Sequence, residues 1–236
     1  MRTLFNGELP RRVMFDLDGT LVDSALDLTA AVDNMLQALG REPAGESRVR
    51  QWVGNGAQVL VKRALSGEMH PTEDAVEPEL FEVAFDVFLA AYTQSNGRYS
   101  KLYPGVDELL AHLQQVGVPM AVVTNKPMAF TTPLLQALKI DHYFDQVLGG
   151  DSLPVKKPDP LPLLSVLEAS GCAPEQALML GDSRNDVDAA RAAGCPVVCV
   201  SYGYNHGEPV ASCSPDRVVD SFAELIERSG SQAGGS

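Results

Sequence analysis

The chain has 236 residues, 45% of them apolar, which excludes a disordered chain and suffices for one large domain or two small ones. With 18 Lys and Arg against 31 Asp and Glu, the formal charge is −13. So acidic a surface argues against nucleic acid or an anionic membrane as partner, since both reward basic patches.

Met1 to Pro10 is short and mixed, interrupted by Gly7 and Pro10, and has no signal-peptide core. Arg12-Val13-Met14-Phe15 reads as a buried strand. It runs into Asp16-Leu17-Asp18-Gly19-Thr20, where both carboxylates would point the same way in a continuing strand and Gly19 permits a turn. Asp23-Ser24 is a helix start. Leu28, Val32, Met35 and Leu39 recur at helical spacing until Gly40 stops the run. Ser47 to Val53 leads into Gly54-Asn55-Gly56, a flexible loop. Val59, Leu60 and Leu65 predict a short helix ending at Gly67, and the polar residues 68–78 a loop. Leu80, Val83, Ala84, Val87, Phe88 and Ala91 form a helical stripe, which Phe81, Phe85, Leu89 and Tyr92 broaden; an arc this wide predicts a helix buried on more than one side. Residues 23–98 therefore read as a helical unit without strands.

The texture changes after Gly97. Pro104-Gly105 opens a helix with Val106, Leu109, Leu110, Leu113 and Val116 inward, capped by Gly117. Strands are expected over Pro119–Thr124, Gln146–Gly149, Ala177–Gly181, Pro196–Ser201 and, shorter, Arg217–Val219. Helices are expected from Phe130 to Leu138, Leu161 to Ala169, Val187 to Ala193 and about Phe222 to Arg228. This alternation predicts an α/β fold, a Rossmann-like, mostly parallel sheet. The core would comprise residues 1–22 and 99–228, interrupted by the helical unit at 23–98 and followed by a small polar tail at 229–236. Cys172, Cys195, Cys199 and Cys213 form no C-x-x-C pair, and no His pair has zinc spacing. They read as buried free thiols. No apolar run reaches the length of a membrane span. A cytoplasmic protein fits these features.

In such sheets ligands bind beyond the carboxyl ends of the strands. Four of those ends carry polar residues. The first is Asp16 with Asp18. The second is Thr124-Asn125-Lys126, whose hydroxyl and backbone N–H groups suit a phosphate oxygen. The third is Lys156-Lys157-Pro158, where the proline holds the chain just after Lys157. The fourth is Gly181-Asp182-Ser183-Arg184-Asn185-Asp186, in which the two acids would share a helix face if the helix begins early. Each piece alone also suits a helix cap or a solvated charge; the series of acid pair, hydroxyl, lysine and acid pair does not. Paired carboxylates call for a cation, and Mg²⁺ takes oxygen ligands. An EF-hand is excluded, because Gly19 falls at position 4 counted from Asp16 rather than 6.

These four motifs resemble those of the haloacid dehalogenase-like phosphohydrolase superfamily and span nearly the whole core. The unit at 23–98 resembles the small helical cap of its first subclass. Trp52-Val53-Gly54-Asn55-Gly56, Thr124-Asn125-Lys126-Pro127 and Gly181–Asp186 look most like the bacterial phosphoglycolate phosphatases.

The resemblance implies a catalytic set of Asp16, Asp18, Thr124 and Lys157. Asp16 would be the nucleophile that forms an aspartyl-phosphate, and Asp18 the acid and base. Mg²⁺ would be held by the Asp16 carboxylate, the Asp18 carbonyl and Asp182, with Asp186 behind them. Thr124, Asn125, Lys157 and the cap-loop residues Gly54 and Asn55 would bind substrate. The implied partner is a small anionic phosphomonoester, 2-phosphoglycolate first, and the implied assembly a monomer or homodimer. Asp18 distinguishes phosphatases and mutases from dehalogenases, whose halide leaving group needs no acid. Sugar and amino-sugar phosphates, a hexose-phosphate mutase and a non-catalytic binding module are the alternatives. Arg184 is expected either at a substrate carboxylate or, more in keeping with its setting, paired with acids at the cap hinge. The four histidines, His70, His112, His142 and His206, fall in no catalytic pattern and are expected at the surface or in packing.

Overall fold

The computed structural model describes residues 1–226, so the expected tail at 229–236 and the end of the last expected helix lie outside the described residues. The buried run Arg12–Phe15 is strand β1. Its side chains alternate across the sheet. Val13 and Phe15 pack with Leu109, Leu110 and Leu113 on one side, and Met14 packs with Leu163, Val166 and Ala190 on the other. A strand apolar on both faces can only be internal, and β1 lies between its two neighbours in a six-stranded parallel sheet.

Before the sheet resumes, the chain passes through β2 (Val22–Asp23), α1 (Ala25–Ala38), α2 (Glu46–Trp52), α3 (Ala57–Ser66), α4 (Pro78–Ser95) and β3 (Lys101–Leu102). The core then continues as α5 (Val106–Gln115), β4 (Met120–Val123), α6 (Met128–Ala137), β5 (Gln146–Leu148), α7 (Leu161–Ser170), β6 (Ala177–Gly181), α8 (Arg184–Ala193), β7 (Val197–Val200) and β8 (Arg217–Val219). The sheet order is β5-β4-β1-β6-β7-β8. Phe15 is level with Val122 of β4 and Leu180 of β6, so these three strands end together. The order reverses at β1, which makes their shared end a crevice.

The inserted helices form a cap with its own core, in which Leu28, Val32 and Met35 of α1 meet Trp52, Leu60, Phe88 and Tyr92. The two chain crossings into the cap pair as β2 and β3, with Val22 opposite Leu102 and Asp23 opposite Lys101. Asp27 closes the base of the cap. Its fully buried carboxylate accepts from the backbone N–H groups of Gly97, Tyr99 and Ser100 and from the Ser100 hydroxyl.

Several expectations change. β2 and β3 are two residues each, too short to leave a period in the sequence. Helix α4 is buried along Ala84, Phe88, Tyr92 and Ser95 only, and Val83 is 55% exposed. The cap covers a single face of α4, and Phe81 and Phe85 stack on each other beside that stripe, half-buried. Val116 lies past the end of α5 and is 41% exposed rather than inward. The loop at 68–78 contains one 3₁₀ turn, Glu73–Ala75. The last expected helix is a 3₁₀ turn, Phe222–Leu225, started by a capping box between Ser221 and Glu224. All four cysteines are free, and Cys172 is half-buried while the other three are buried.

Candidate active site

The crevice at the ends of β1, β4 and β6 gathers the polar residues read from the four motifs. Lys157 is at its centre. Its Nζ lies 2.8 Å from Asp16 Oδ1 and 2.6 Å from Asp186 Oδ1, and its side chain is 2% exposed. Burial by itself lowers the proton affinity of Lys157, but the Asp16 and Asp186 charges outweigh it and hold the ammonium above its ordinary range. Asp16 goes the other way. Burial, with Asp186 and Asp18 adding and Lys157 opposing, pushes its carboxyl up to about 6.

Asp182 and Asp186 do not share a helix face, because Asp182 ends β6 before α8 begins at Arg184. Helix α8 also starts three residues earlier than the expected Val187, because Ser183 and Asp186 form a capping box at its first turn. Asp186 Oδ2 accepts from the N–H groups of Asp182 and Ser183 and from the Ser183 hydroxyl. With Lys157 on Oδ1, both oxygens of Asp186 are engaged. Asp182 accepts from the Thr20 hydroxyl and from the Tyr204 N–H. Burial first, then the Asp16 and Asp186 charges, raise its carboxyl.

Space around these acids is tight enough to demand glycine. A Cβ on Gly19, which has φ +91°, would stand 2.2 Å from Asp182 Oδ2, and one on Gly203 would stand 2.1 Å from Asp182 Cβ. Carboxylate oxygens of Asp16, Asp182 and Asp186 come within 4.8 Å of one another, and all three residues are buried. Three buried carboxylates against one lysine leave negative charge that low-dielectric surroundings penalise. An all-oxygen donor set of this kind suits a hard divalent cation.

Asp18 is separated from Asp16 rather than aligned with it, since β1 ends at Phe15 and the chain turns back with Gly19 N–H on Val22 C=O. Asp18 has its own cation: Lys126 Nζ lies 3.0 and 3.2 Å from its two oxygens. Ser24 Oγ adds a hydrogen bond at 2.6 Å. The Lys126 ammonium also contacts the Tyr92 hydroxyl from cap helix α4 and sits over the Tyr92 ring. Thr124 is buried at the end of β4, where its hydroxyl accepts from the Lys126 N–H at 3.2 Å.

The cap loop reaches the core at Gly54, whose carbonyl accepts from Asn125 Nδ2 at 3.0 Å and Asn185 Nδ2 at 3.1 Å. Asn125 Nδ2 also donates to Lys157 C=O. The Asn55 side chain faces Asn185 along the cap–core seam, and its carbonyl accepts from Lys156 Nζ. Asp16, Asp18, Thr124, Asn125, Lys126 and Gly54 line a pocket of about 40 Å³, roofed by Leu28, Val53, Ala57, Leu60, Phe88 and Tyr92 of the cap. Asn55 does not line it.

Arg184 is exposed and makes no ion pair among the described residues, so the expected pairing with acids at the cap hinge is not met. The chain turns it to solvent at the first position of α8. His206 packs at the seam, with Nδ1 2.8 Å from Gln51 C=O. Lys126, Tyr92, Ser24 and Tyr204 were absent from the expected site. Lys126 was legible in principle, being next to Thr124-Asn125 at a strand end. Tyr92 is one aromatic in an apolar stripe, and Tyr204 is in a loop without a pattern.

The family model for haloacid dehalogenase-like hydrolases matches residues 13–200. The phosphoglycolate phosphatase of Pseudomonas fluorescens is 55% identical over 224 residues, 94% of this chain and 81% of that protein. The phosphoglycolate phosphatase of Nitrosococcus oceani is 50% identical over 216 residues, 92% of this chain and 95% of that protein. A crystal structure of a predicted phosphoglycolate phosphatase from Haemophilus somnus superposes with a TM-score of 0.83 at 41% identity, covering 91% of this chain and 96% of that one. Among the described residues no helix is long and apolar enough to cross a membrane. A match running from β1 to β7 takes in every strand end that supplies the crevice, and with it the chain belongs to the haloacid dehalogenase-like hydrolase family.

Proposed function

We propose that the chain is a Mg²⁺-dependent phosphomonoesterase that hydrolyses 2-phosphoglycolate to glycolate and phosphate through an aspartyl-phosphate intermediate. The observation that carries the reading is the placement of Lys157 between Asp16 and Asp186, whose carboxylates cluster with that of Asp182, beside a small pocket that Asp16 lines. Relatives named phosphoglycolate phosphatase at 50% and 55% identity support the substrate.

Asp16 attacks phosphorus, the bond from phosphorus to the glycolate oxygen breaks, and the phosphoryl group moves to the Asp16 carboxylate. Asp18 gives its proton to the leaving oxygen. Asp18 then takes a proton from the water that attacks the aspartyl-phosphate, releasing phosphate and restoring Asp16. Lys157 neutralises Asp16 and the phosphoryl oxygens as charge shifts between them. Thr124 donates to a phosphoryl oxygen, and Asn125 and Gly54 line the same space. Asn55 supports the loop that carries Gly54. Mg²⁺ would be held by the carboxylates of Asp16 and Asp182 and the carbonyl of Asp18, with Asp186 behind them, and would offset phosphoryl charge. The cap, residues 23–98, closes on the core of 1–22 and 99–228 and keeps bulk water out.

The four free cysteines suit a reducing cytoplasm, and the protein works as a monomer or homodimer. Phosphate release from 2-phosphoglycolate with Mg²⁺, its loss in EDTA, and its loss in Asp16→Asn test the reading. Normal turnover by Asp16→Asn would sink the mechanism. Failure on 2-phosphoglycolate with ready hydrolysis of another monoester would sink the substrate.

A further inference from the structure

We propose that Lys126 determines specificity: its ammonium receives the carboxylate of a short phosphomonoester while Lys157 serves the phosphoryl end. The proposal rests on the phosphatase reading above and deepens it.

Two lysines bring charge to this region, and they are differently committed. Lys157 is held by Asp16 and Asp186. Lys126 lines the pocket itself, buried, between Asp18 of the core and Tyr92 of the cap. It is the one Lys or Arg in the pocket wall among the described residues. An ammonium has three protons. The Asp18 oxygens, at 3.0 and 3.2 Å, can share one, and the Tyr92 oxygen can take a second. A third remains for a ligand in the pocket.

The rest of the wall argues for the same occupant. Of the cap side chains in the roof, only Tyr92 is polar; Leu28, Val53, Ala57, Leu60 and Phe88 offer no hydrogen bond. The hydroxyls of a sugar would enter without partners, at a cost. A carboxylate would be excluded too, except where Lys126 can meet it with a charge-assisted hydrogen bond. The volume of about 40 Å³ suits a tail of very few atoms. Separation is set as well, because the Lys126 N–H is bonded to the Thr124 hydroxyl and so ties the carboxylate-binding and phosphoryl-binding residues to one turn.

The test compares kcat and KM for 2-phosphoglycolate and for ethyl phosphate, which lacks the carboxylate. The wild-type protein should favour 2-phosphoglycolate in kcat/KM by about 100-fold, the scale of one hydrogen bond to a charged group. Lys126→Met should lower kcat/KM for 2-phosphoglycolate by about 100-fold, chiefly through KM, and for ethyl phosphate by less than about tenfold. Lys126→Arg, which keeps the charge, should retain part of the preference. Equal losses on both esters would show that Lys126 only positions Asp18, and would overturn the proposal while leaving the phosphatase reading intact. No phosphate release from 2-phosphoglycolate by the wild type would overturn both. If Lys126→Met does not fold, the wild-type pair decides, since no preference for the carboxylate overturns the proposal.

Discussion

The Tyr204 hydroxyl lies 2.5 Å from Asp23 Oδ1, joining the loop after β7 to the first strand of the cap hinge. The same oxygen accepts from the N–H groups of Ser24 and Ala25, each at 3.1 Å, where α1 begins. Tyr204 thus caps α1 from another part of the chain, while its own N–H holds Asp182. Tyr204→Phe keeps the ring and removes these bonds. It should cost about 2 kcal/mol, read as a fall in Tm of about 4–8 °C. An unchanged Tm would show that the hydroxyl does not secure the hinge.

Mg²⁺ should stabilise the protein in a pH-dependent way. Burial, more than any other cause, pushes the Asp16 carboxyl up to about 6, and burial first, then the neighbouring acids, raise Asp182. A folded-state value above the unfolded one means that the folded chain binds the proton more tightly. Without metal, this contribution therefore weakens as pH rises from about 4 to 6. A bound cation favours the ionised form and removes the loss. The gap in Tm between Mg²⁺ and EDTA samples should widen across that window and stay wide above it. A constant gap would count against the carboxylates as ligands.

Lys157→Met should be costly in two ways. It leaves Asp16, Asp182 and Asp186 buried together without the ammonium, an uncompensated charge worth about 3–5 kcal/mol. Phosphate release should fall on the order of 10³-fold or more. Thermal melts and turnover measured on the same preparation separate the two effects.

Asp27→Ala should destabilise the cap. The fully buried carboxylate serves three backbone N–H groups and one hydroxyl between Gly97 and Ser100, and its removal leaves these donors without their shared acceptor. The loss should be about 3 kcal/mol, with faster proteolysis near residues 97–100. Proteolysis at the wild-type rate would contradict the assignment.

Gly203→Ala probes Asp182 without altering any acid. The added Cβ would stand 2.1 Å from Asp182 Cβ, so Asp182 has to move. Weaker Mg²⁺ binding and at least about a tenfold loss of kcat/KM should follow, since small misplacements near the chemistry are expensive. Isothermal titration with Mg²⁺ and steady-state kinetics are the measurements.

Much of this architecture was legible from residue order. β1, β4, β6 and β7 are apolar runs bounded by turn residues, and such runs need only local information to be recognised. The crevice residues Asp16, Thr124 and Asp182 follow directly from them, each standing just past or near the end of a strand. The hinge strands β2 and β3 were not legible, because two residues carry no period. The exposure of Val83 is not encoded locally, because an apolar residue on a wide stripe does not say which face a neighbour will cover. Tyr92 was visible only as one more member of that stripe, although its hydroxyl contacts Lys126.

What residue order determined alone is the placement of acids, hydroxyl and lysines at strand ends, because strand periodicity and turn chemistry act over a few residues. What the tertiary structure decided is who pairs with whom. Asp16 and Asp18 are neighbours in sequence, yet one is matched to Lys157 and the other to Lys126. Lys157 reaches its partner across 141 positions and Lys126 across 108. Pairing at that range is set by strand order in the sheet and by how the cap seats on it, and no local pattern encodes either.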